Sequence, residues 1–231
     1  MSTDDPDKYW VKSKFEALTS QDIPAVLSLV ESLKWTHVKA DLEVMFRIGH
    51  FIGLCDNSGT IIATGALFPY GDKFGSVGMI MVSPDHQRRG YGRAVMEALH
   101  QIDAAKGRAL CLIATKEAEQ LYKSLGYSDA SRVRKLFADP KIIPVTDLAT
   151  TNNSPASNLA FRDIIQSDLP DLVRMDEDAF GACRSDLLSL RLMQSDGGIL
   201  ALNDSGLAVG YALCCPQRQQ RHIGPIVAPD K

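Results

Sequence analysis

The sequence predicts an α/β (α+β) protein: a mixed central sheet flanked by helices, followed by an incomplete second copy of the same arrangement. Three observations predict it. Two apolar runs, Phe51 to Cys55 and Ile61 to Phe68, are joined by Asp56-Asn57-Ser58-Gly59, which is a hairpin signal. The stretch Val77 to Gly92, VGMIMVSPDHQRRGYG, reads as strand, glycine-rich turn and helix start, and a further apolar run at Ala109 to Ala114 completes a β-α-β crossover. Finally, FRDIIQSDLPDLV from Phe161 aligns without gaps on FEALTSQDIPAVL from Phe15, an offset of 146 residues.

In chain order, Lys14 to Leu18 is a short strand. Thr19-Ser20-Gln21-Asp22 then offers a capping box, with Pro24 just inside a helix whose Ile23, Val26, Leu27, Val30 and Leu33 recur at helical spacing. Trp35-Thr36-His37 breaks that helix, and a second runs from Ala40 to Ile48 with Gly49 as its stop. The hairpin follows. Pro69-Tyr70-Gly71-Asp72 turns the chain into a third antiparallel strand, Val77 to Val82, which Ser83-Pro84-Asp85 ends. Ala94, Val95, Ala98, Leu99 and Ile102 make the next segment, Arg93 to Lys106, an amphipathic helix. Ala109 to Ala114 fits a buried parallel strand, Thr115 to Gly126 a short helix, and Tyr127 onward, with Val133, Leu136 and Phe137, a closing strand.

The turn between Val82 and Arg93 is an anion site. A helix N-terminus has amides without intrahelical partners and carries the positive end of the helix dipole. Gly90 and Gly92 lack a Cβ that would hold a phosphate away from the main chain, and Arg88, Arg89 and Arg93 add charge beside the amides. Other phosphate loops fit poorly. A Walker loop would end in Gly-Lys-Ser/Thr, and a dinucleotide fingerprint would have a third glycine where Val95 stands. A basic turn on a solvated helix end is the competing account.

Composition narrows the function classes. A net charge of −3 gives no reason to expect nucleic acid, although a local basic loop can still bind a phosphorylated ligand. There is no run of about 18 apolar residues, so no membrane partner is expected, and the polar start MSTDDPDKYW is unlike a signal peptide. These features predict a cytoplasmic protein. Cys55, Cys111, Cys183, Cys214 and Cys215 form no C-x-x-C pair, so no metal site is expected; they read as small core residues.

Gln87-Arg88-Arg89-Gly90-Tyr91-Gly92 resembles the Q/R-x-x-G-x-G/A signature of the GCN5-related N-acetyltransferase (GNAT) superfamily, whose turn holds the pyrophosphate of acetyl-CoA. Ala118-x-x-Leu121-Tyr122-x-x-x-Gly126-Tyr127 resembles that superfamily's second signature, in the expected order and on the expected element. The resemblance covers Phe15 to Phe137 and implies the acyl-CoA N-acyltransferase fold, with acetyl-CoA as co-substrate and direct transfer of its acetyl group to a primary amine of a small molecule or peptide. It implies that Gln87, Arg88, Arg89, Gly90, Tyr91, Gly92 and Arg93 bind the cofactor, together with the main chain of Met81 and Val82. Thr115 joins them where family members often carry Asn, which puts a cofactor contact or the proton path in doubt. Tyr122 is the catalytic candidate, its hydroxyl facing the sulfur; core packing on its helix stripe is the competing role. A homodimer is compatible with this reading. The alternative is a non-catalytic acyl-CoA-binding regulatory or scaffold module.

Acyl transfer needs a neutral amine, a donor for the developing oxyanion and a proton for the departing thiolate. No general base stands out. His37, Asp41, Glu43, Asp85 and His86 lie near the expected acceptor mouth, which Trp35, Phe68 and Tyr70 could line.

The predicted organisation is an acetyltransferase domain over 1–138, a linker over 139–160 rich in Pro, Ser, Thr and Asn, and a truncated second copy over 161–231. Gly198 to Gly206 echoes Gly53 to Gly59, Pro216 echoes Pro69, and Ile223 to Asp230 echoes Val77 to Asp85. The copy ends where its own cofactor loop would begin, so it is expected to be truncated or to survive by docking on the first domain. It is not expected to hold acetyl-CoA by the loop mechanism.

Overall fold

A computed structural model describes residues 15–133, 159–217 and 220–228. The first unit comprises β1 (Glu16–Leu18), α1 (Ile23–Ser32), α2 (Lys39–Ile48), β2 (His50–Cys55), β3 (Ile61–Tyr70), β4 (Phe74–Val82), α3 (Tyr91–Gln101), β5 (Ala109–Cys111) and α4 (Glu119–Ser124). The strands lie in the order β1-β2-β3-β4-β5, antiparallel up to β4 and parallel between β4 and β5. This is the mixed sheet that the sequence predicts. The capping box forms: Thr19 N donates to Asp22 Oδ2 at 2.7 Å and Gln21 N to Thr19 Oγ1 at 3.3 Å.

Helices cover both faces of this sheet. Val26 and Val30 of α1 and Leu42 of α2 pack on Phe51, Phe68, Met79 and Met81. On the opposite face Val95, Met96 and Leu99 of α3, with Tyr122 of α4, pack on Ile52, Leu54, Leu67 and Val77. Gly65 lets α3 lie directly on β3, because a Cβ there would stand 2.4 Å from Val95 Cγ1 and 2.8 Å from Leu99 Cδ1.

A bulge in β4 decides the geometry that follows. Thr64 pairs with Met81 and Ala66 with Gly78, so Met79 and Ile80 together oppose Gly65, and Met79 takes φ +53°. In a regular strand residues 77, 79 and 81 would share one face. Here Val77 faces α3 while Met79 and Met81 face α1 and α2. The buried Thr64 hydroxyl donates to the Met79 carbonyl at 3.0 Å, which holds the bulge.

Several expectations need correcting. β5 has three residues rather than six, and Ile113 is 75% exposed, because the β4–β5 ladder stops at Ser76 and Cys111. Thr115 to Ala118 form a turn, so α4 is shorter than predicted, and α3 ends at Gln101. Tyr127 to Val133 form no strand; Leu136 and Phe137 of the expected closing strand lie outside the described residues, as does most of the 139–160 linker. The cysteines are free and only Cys215 is buried, since Cys55 and Cys111 sit at strand ends and Cys183 in a loop.

The second unit repeats the order with β6 (Ala160–Asp163), α5 (Leu169–Phe180), α6 (Ser185–Gln194), β7 (Gly197–Leu202), β8 (Ala208–Gln217) and β9 (Gln220–Val227), an antiparallel sheet β6-β7-β8-β9. The repeat extends to the cap: Asp168, the counterpart of Asp22, accepts from Ile165 N at 2.9 Å. Leu172, Met175 and Leu188 of the helices pack on Leu200, Tyr211 and Leu213. On the other face Ile199 and Ile223 stand exposed and line a shallow cleft with Ala212 and Cys214.

The second unit docks on the first through α2 and α6. Arg191 Nη1 donates to Asp41 at 2.8 Å and Gln194 Nε2 to the Ala40 carbonyl at 2.8 Å. Phe180 reaches the β3–β4 turn, edge-on to Tyr70 and Phe74.

Candidate functional site

The turn after β4 has the geometry of an anion cradle. Arg88 (φ +61°) and Gly90 (φ +86°) both take the left-handed conformation, which turns successive amides toward one side. The first helical bond of α3 is Ala94 N to the Gly90 carbonyl at 3.1 Å; among the described residues the amides of Arg88 to Arg93 meet no protein acceptor. A Cβ on Gly90 would meet nothing within 4 Å, and one on Gly92 would stand 3.5 Å from Leu121 Cδ2. The space over the amides is therefore open, and the residues present fit a diphosphate. Gln87 serves the turn from inside, its Nε2 donating to the Val82 carbonyl at 3.2 Å. Arg88 and Arg89 are exposed. Arg93 behaves differently: its guanidinium donates to Ser124 Oγ at 2.6 Å and ties α3 to α4.

Below the cradle β4 and β5 separate. Their ladder runs from Phe74 and Ala109 to Ser76 and Cys111, while β4 continues to Val82. The result is a wedge-shaped gap that opens toward the cradle, with β4 main chain past Ser76 as one wall. Met81 buries its side chain in the core, so it has only main chain to offer a ligand, and the Val82 carbonyl is already taken by Gln87. Tyr122 is 8% exposed, and its ring stands edge-on to Tyr127 at 6.1 Å. Burial raises the Tyr122 phenol above its ordinary value, so it remains a proton donor. Burial, reinforced by Tyr122 and Cys111, pushes Tyr127 up to about 12, and its hydroxyl bonds His100 Nε2 at 3.0 Å. At the vertex partial desolvation of its sulfur raises the Cys111 thiol, though the residue as a whole is exposed, and a hydrogen bond from Ser76 partly offsets the rise. The Thr115 carbonyl accepts from Ala118 N and Glu119 N, both at 3.1 Å, so its main chain shapes the start of α4.

Among the remaining candidates, Asp41 is taken by Arg191 and also accepts from Val38 N at 3.1 Å. Glu43 pairs with Lys39 at 3.6 Å on the surface. His86 Nδ1 bonds Ser83 Oγ at 3.4 Å, with its ring 6.2 Å from Tyr91. Trp35 and Phe68 pack in the α1–α2 core. Sequence reasoning missed Ser76 and Cys111 at the vertex and the bulge at Met79, although Gly78 inside a strand is a bulge signal.

Two family models match, both described as an acetyltransferase (GNAT) domain, over residues 47–129 and 172–231. An uncharacterized N-acetyltransferase of Bacillus subtilis, YitH, is 32% identical over 214 residues, which is 92% of this chain and 72% of that protein. The chain belongs to the GNAT superfamily. It carries a second, C-terminal GNAT-like domain, as the second match and the second sheet agree. A provisionally assigned acetyltransferase of Pyrococcus horikoshii has the same fold, with TM-score 0.66 at 19% identity, covering 94% of this chain and 71% of that one. A conserved Enterococcus faecalis protein of unknown function gives TM-score 0.61 at 11% identity, covering 94% and 58%. Membership of the GNAT superfamily gives the chain N-acetyltransferase chemistry in general terms, with an amine as acceptor and acetyl-CoA as the family's co-substrate. Among the described residues no helix is long and apolar enough to cross a membrane.

Proposed function

We propose that this GNAT protein transfers the acetyl group of acetyl-CoA directly to a primary amine of a small molecule or peptide. The observation that carries the reading is the run of open amides from Arg88 to Arg93 at the head of the β4–β5 gap, with Tyr122 beside that gap. In this reading Gln87, Arg88, Arg89, Gly90, Tyr91 and Gly92 form the diphosphate cradle. Arg93, in the first turn of α3, and Thr115, in the turn before α4, complete the proposed cofactor-binding set. The main chain of Met81 and Val82 lines the channel for the pantetheine arm, one β4 amide serving the oxyanion. Acetyl-CoA supplies an activated thioester when bound. A free thiol has a pKa near ~8.5, so a nearby donor eases its departure, and Tyr122, kept protonated by burial, fills that role. The amine must arrive neutral. The transferase unit occupies 1–138 and the GNAT-like second unit 161–231, with 139–160 as linker.

The burial of Tyr122 in the core beside α3 also suits a packing role, which favours the second reading, a non-catalytic acyl-CoA-binding module. Release of free thiol from acetyl-CoA across a panel of amines separates the two: turnover with any amine supports the transferase, and binding without turnover supports the module.

A further inference from the structure

The seam where the second unit meets the first reaches the β3–β4 turn and Phe74, where the β4–β5 ladder starts, two residues before Ser76, past which the gap opens. Phe180, the last residue of α5, stands edge-on to Tyr70 (5.3 Å between centroids, 85°) and to Phe74 (5.4 Å, 78°). Gly181, at φ +83°, ends the helix there, and the chain returns so that the Arg184 guanidinium lies 3.9 Å over the Phe180 ring. Arg184 is held rigidly: Nε and Nη2 donate to Asp176 at 2.8 and 2.7 Å, and the fully buried Asp176 also accepts from the Tyr211 hydroxyl at 2.7 Å. Its outer edge differs. Among the described residues Nη1 of Arg184 has no acceptor and the Tyr70 hydroxyl has no partner, while the Arg184 side chain keeps 18% exposure. Burial raises the Tyr70 phenol and the Arg184 charge pulls it down, while Cys111 and Asp176 add to the rise.

We propose that this seam is the acceptor-side subsite, where the Tyr70 hydroxyl and Arg184 Nη1 receive a carboxylate carried by the acceptor amine against the aromatic wall of Phe74 and Phe180. The second unit thereby takes part in selecting the acceptor. The inference rests on the transferase reading above. Its chemistry follows from the donors: the carboxylate of Asp176 is used on the inner edge of the guanidinium, so the outer edge offers N–H groups beside a phenol, a set that matches two carboxylate oxygens and repels an ammonium. Amino-acid-like amines are the class that carries both groups.

The test uses the full chain and compares the proteinogenic amino acids with matched amines lacking the carboxylate, read as KM and kcat from thiol release. The wild type should prefer the carboxylate-bearing member. Tyr70→Phe and Arg184→Lys, which keep the ring and the buried charge pair, should raise KM for amino acids about tenfold more than for the matched amines. Gln194→Ala, which loosens docking away from the seam, should leave that preference as it is. Three outcomes would overturn the inference: no wild-type preference, equal changes in KM for both members of a pair, or the same change in Gln194→Ala. Stabilisation by acetyl-CoA is measured first; its absence, or turnover with no amine at all, refutes the transferase reading together with the inference, whereas normal stabilisation and turnover with unchanged selectivity refute the inference alone.

Discussion

Substituting Gly90 tests the diphosphate cradle most directly, because the structure supplies its own control. Gly90 and Gly59 both have φ near +85° (86° and 83°), and a Cβ on either would meet nothing within 4 Å. A valine at either position therefore incurs the same kind of left-handed backbone strain, about 1–3 kcal/mol. In a protein of this size that corresponds to a fall in Tm of roughly 2–4 °C per kcal/mol. Gly59 lies in the β2–β3 turn, in the first unit but outside the cradle, whereas Gly90 lies within the run of open amides. Acetyl-CoA at ~100 times its Kd should stabilise the wild type by about 2.7 kcal/mol. Gly59→Val should show the full gain from a lower starting Tm. Gly90→Val, if its affinity falls about 100-fold, should gain only roughly 0.4 kcal/mol at the same concentration. Thermal melts with and without acetyl-CoA measure both. Equal ligand-induced shifts in the two variants would refute the cradle.

Tyr122→Phe should leave acetyl-CoA stabilisation intact and lower kcat by about 100-fold or more, the ordinary contribution of a positioned acid; equal turnover would return Tyr122 to the core. The pH profile gives an independent check. Burial raises the Tyr122 pKa above ~10, so the protonated donor is fully present at neutral pH and is lost only as pH climbs through that raised value. Activity should therefore rise as the acceptor amine deprotonates and fall on a far-alkaline limb, and a limb of the same shape in Tyr122→Phe would assign it to another group. Gly65→Val should push α3 off β3, cost about 1–3 kcal/mol and reduce acetyl-CoA stabilisation by displacing the turn; an unchanged ligand shift would mean that the helix position does not set the cradle. Arg191→Met leaves Asp41, only 5% exposed, without its ion partner and should cost about 3–5 kcal/mol in urea unfolding. A loss below about 1 kcal/mol would show that the pair contributes little to docking.

Much of this protein is legible in its sequence because the signals are local. Pro24 behind Asp22, the Asp56-Gly59 turn, and the glycines and arginines after Val82 each specify backbone geometry within a few residues, and the structure forms the cap, the hairpin and the turn at those places. The repeat is equally local, since each half reuses the same cap and strand pattern, and the second sheet follows from it. The two signatures likewise placed the chain in its superfamily, and the family matches agree.

The tertiary structure alone decided what distant segments do to one another. Where β4 and β5 part is set between strands far apart in the chain, and an apolar run such as Ala109 to Ala114 looks the same whether its ladder continues or stops at Cys111. Asp41 read as a candidate base until Arg191, 150 positions away, was found paired to it. Phe180 and Arg184 carry no sequence signal for a site, because their role arises only when the second unit docks beside Tyr70 and Phe74. Local conformation is set by steric and hydrogen-bonding rules along the chain; the company a side chain keeps is set by which surfaces bury each other.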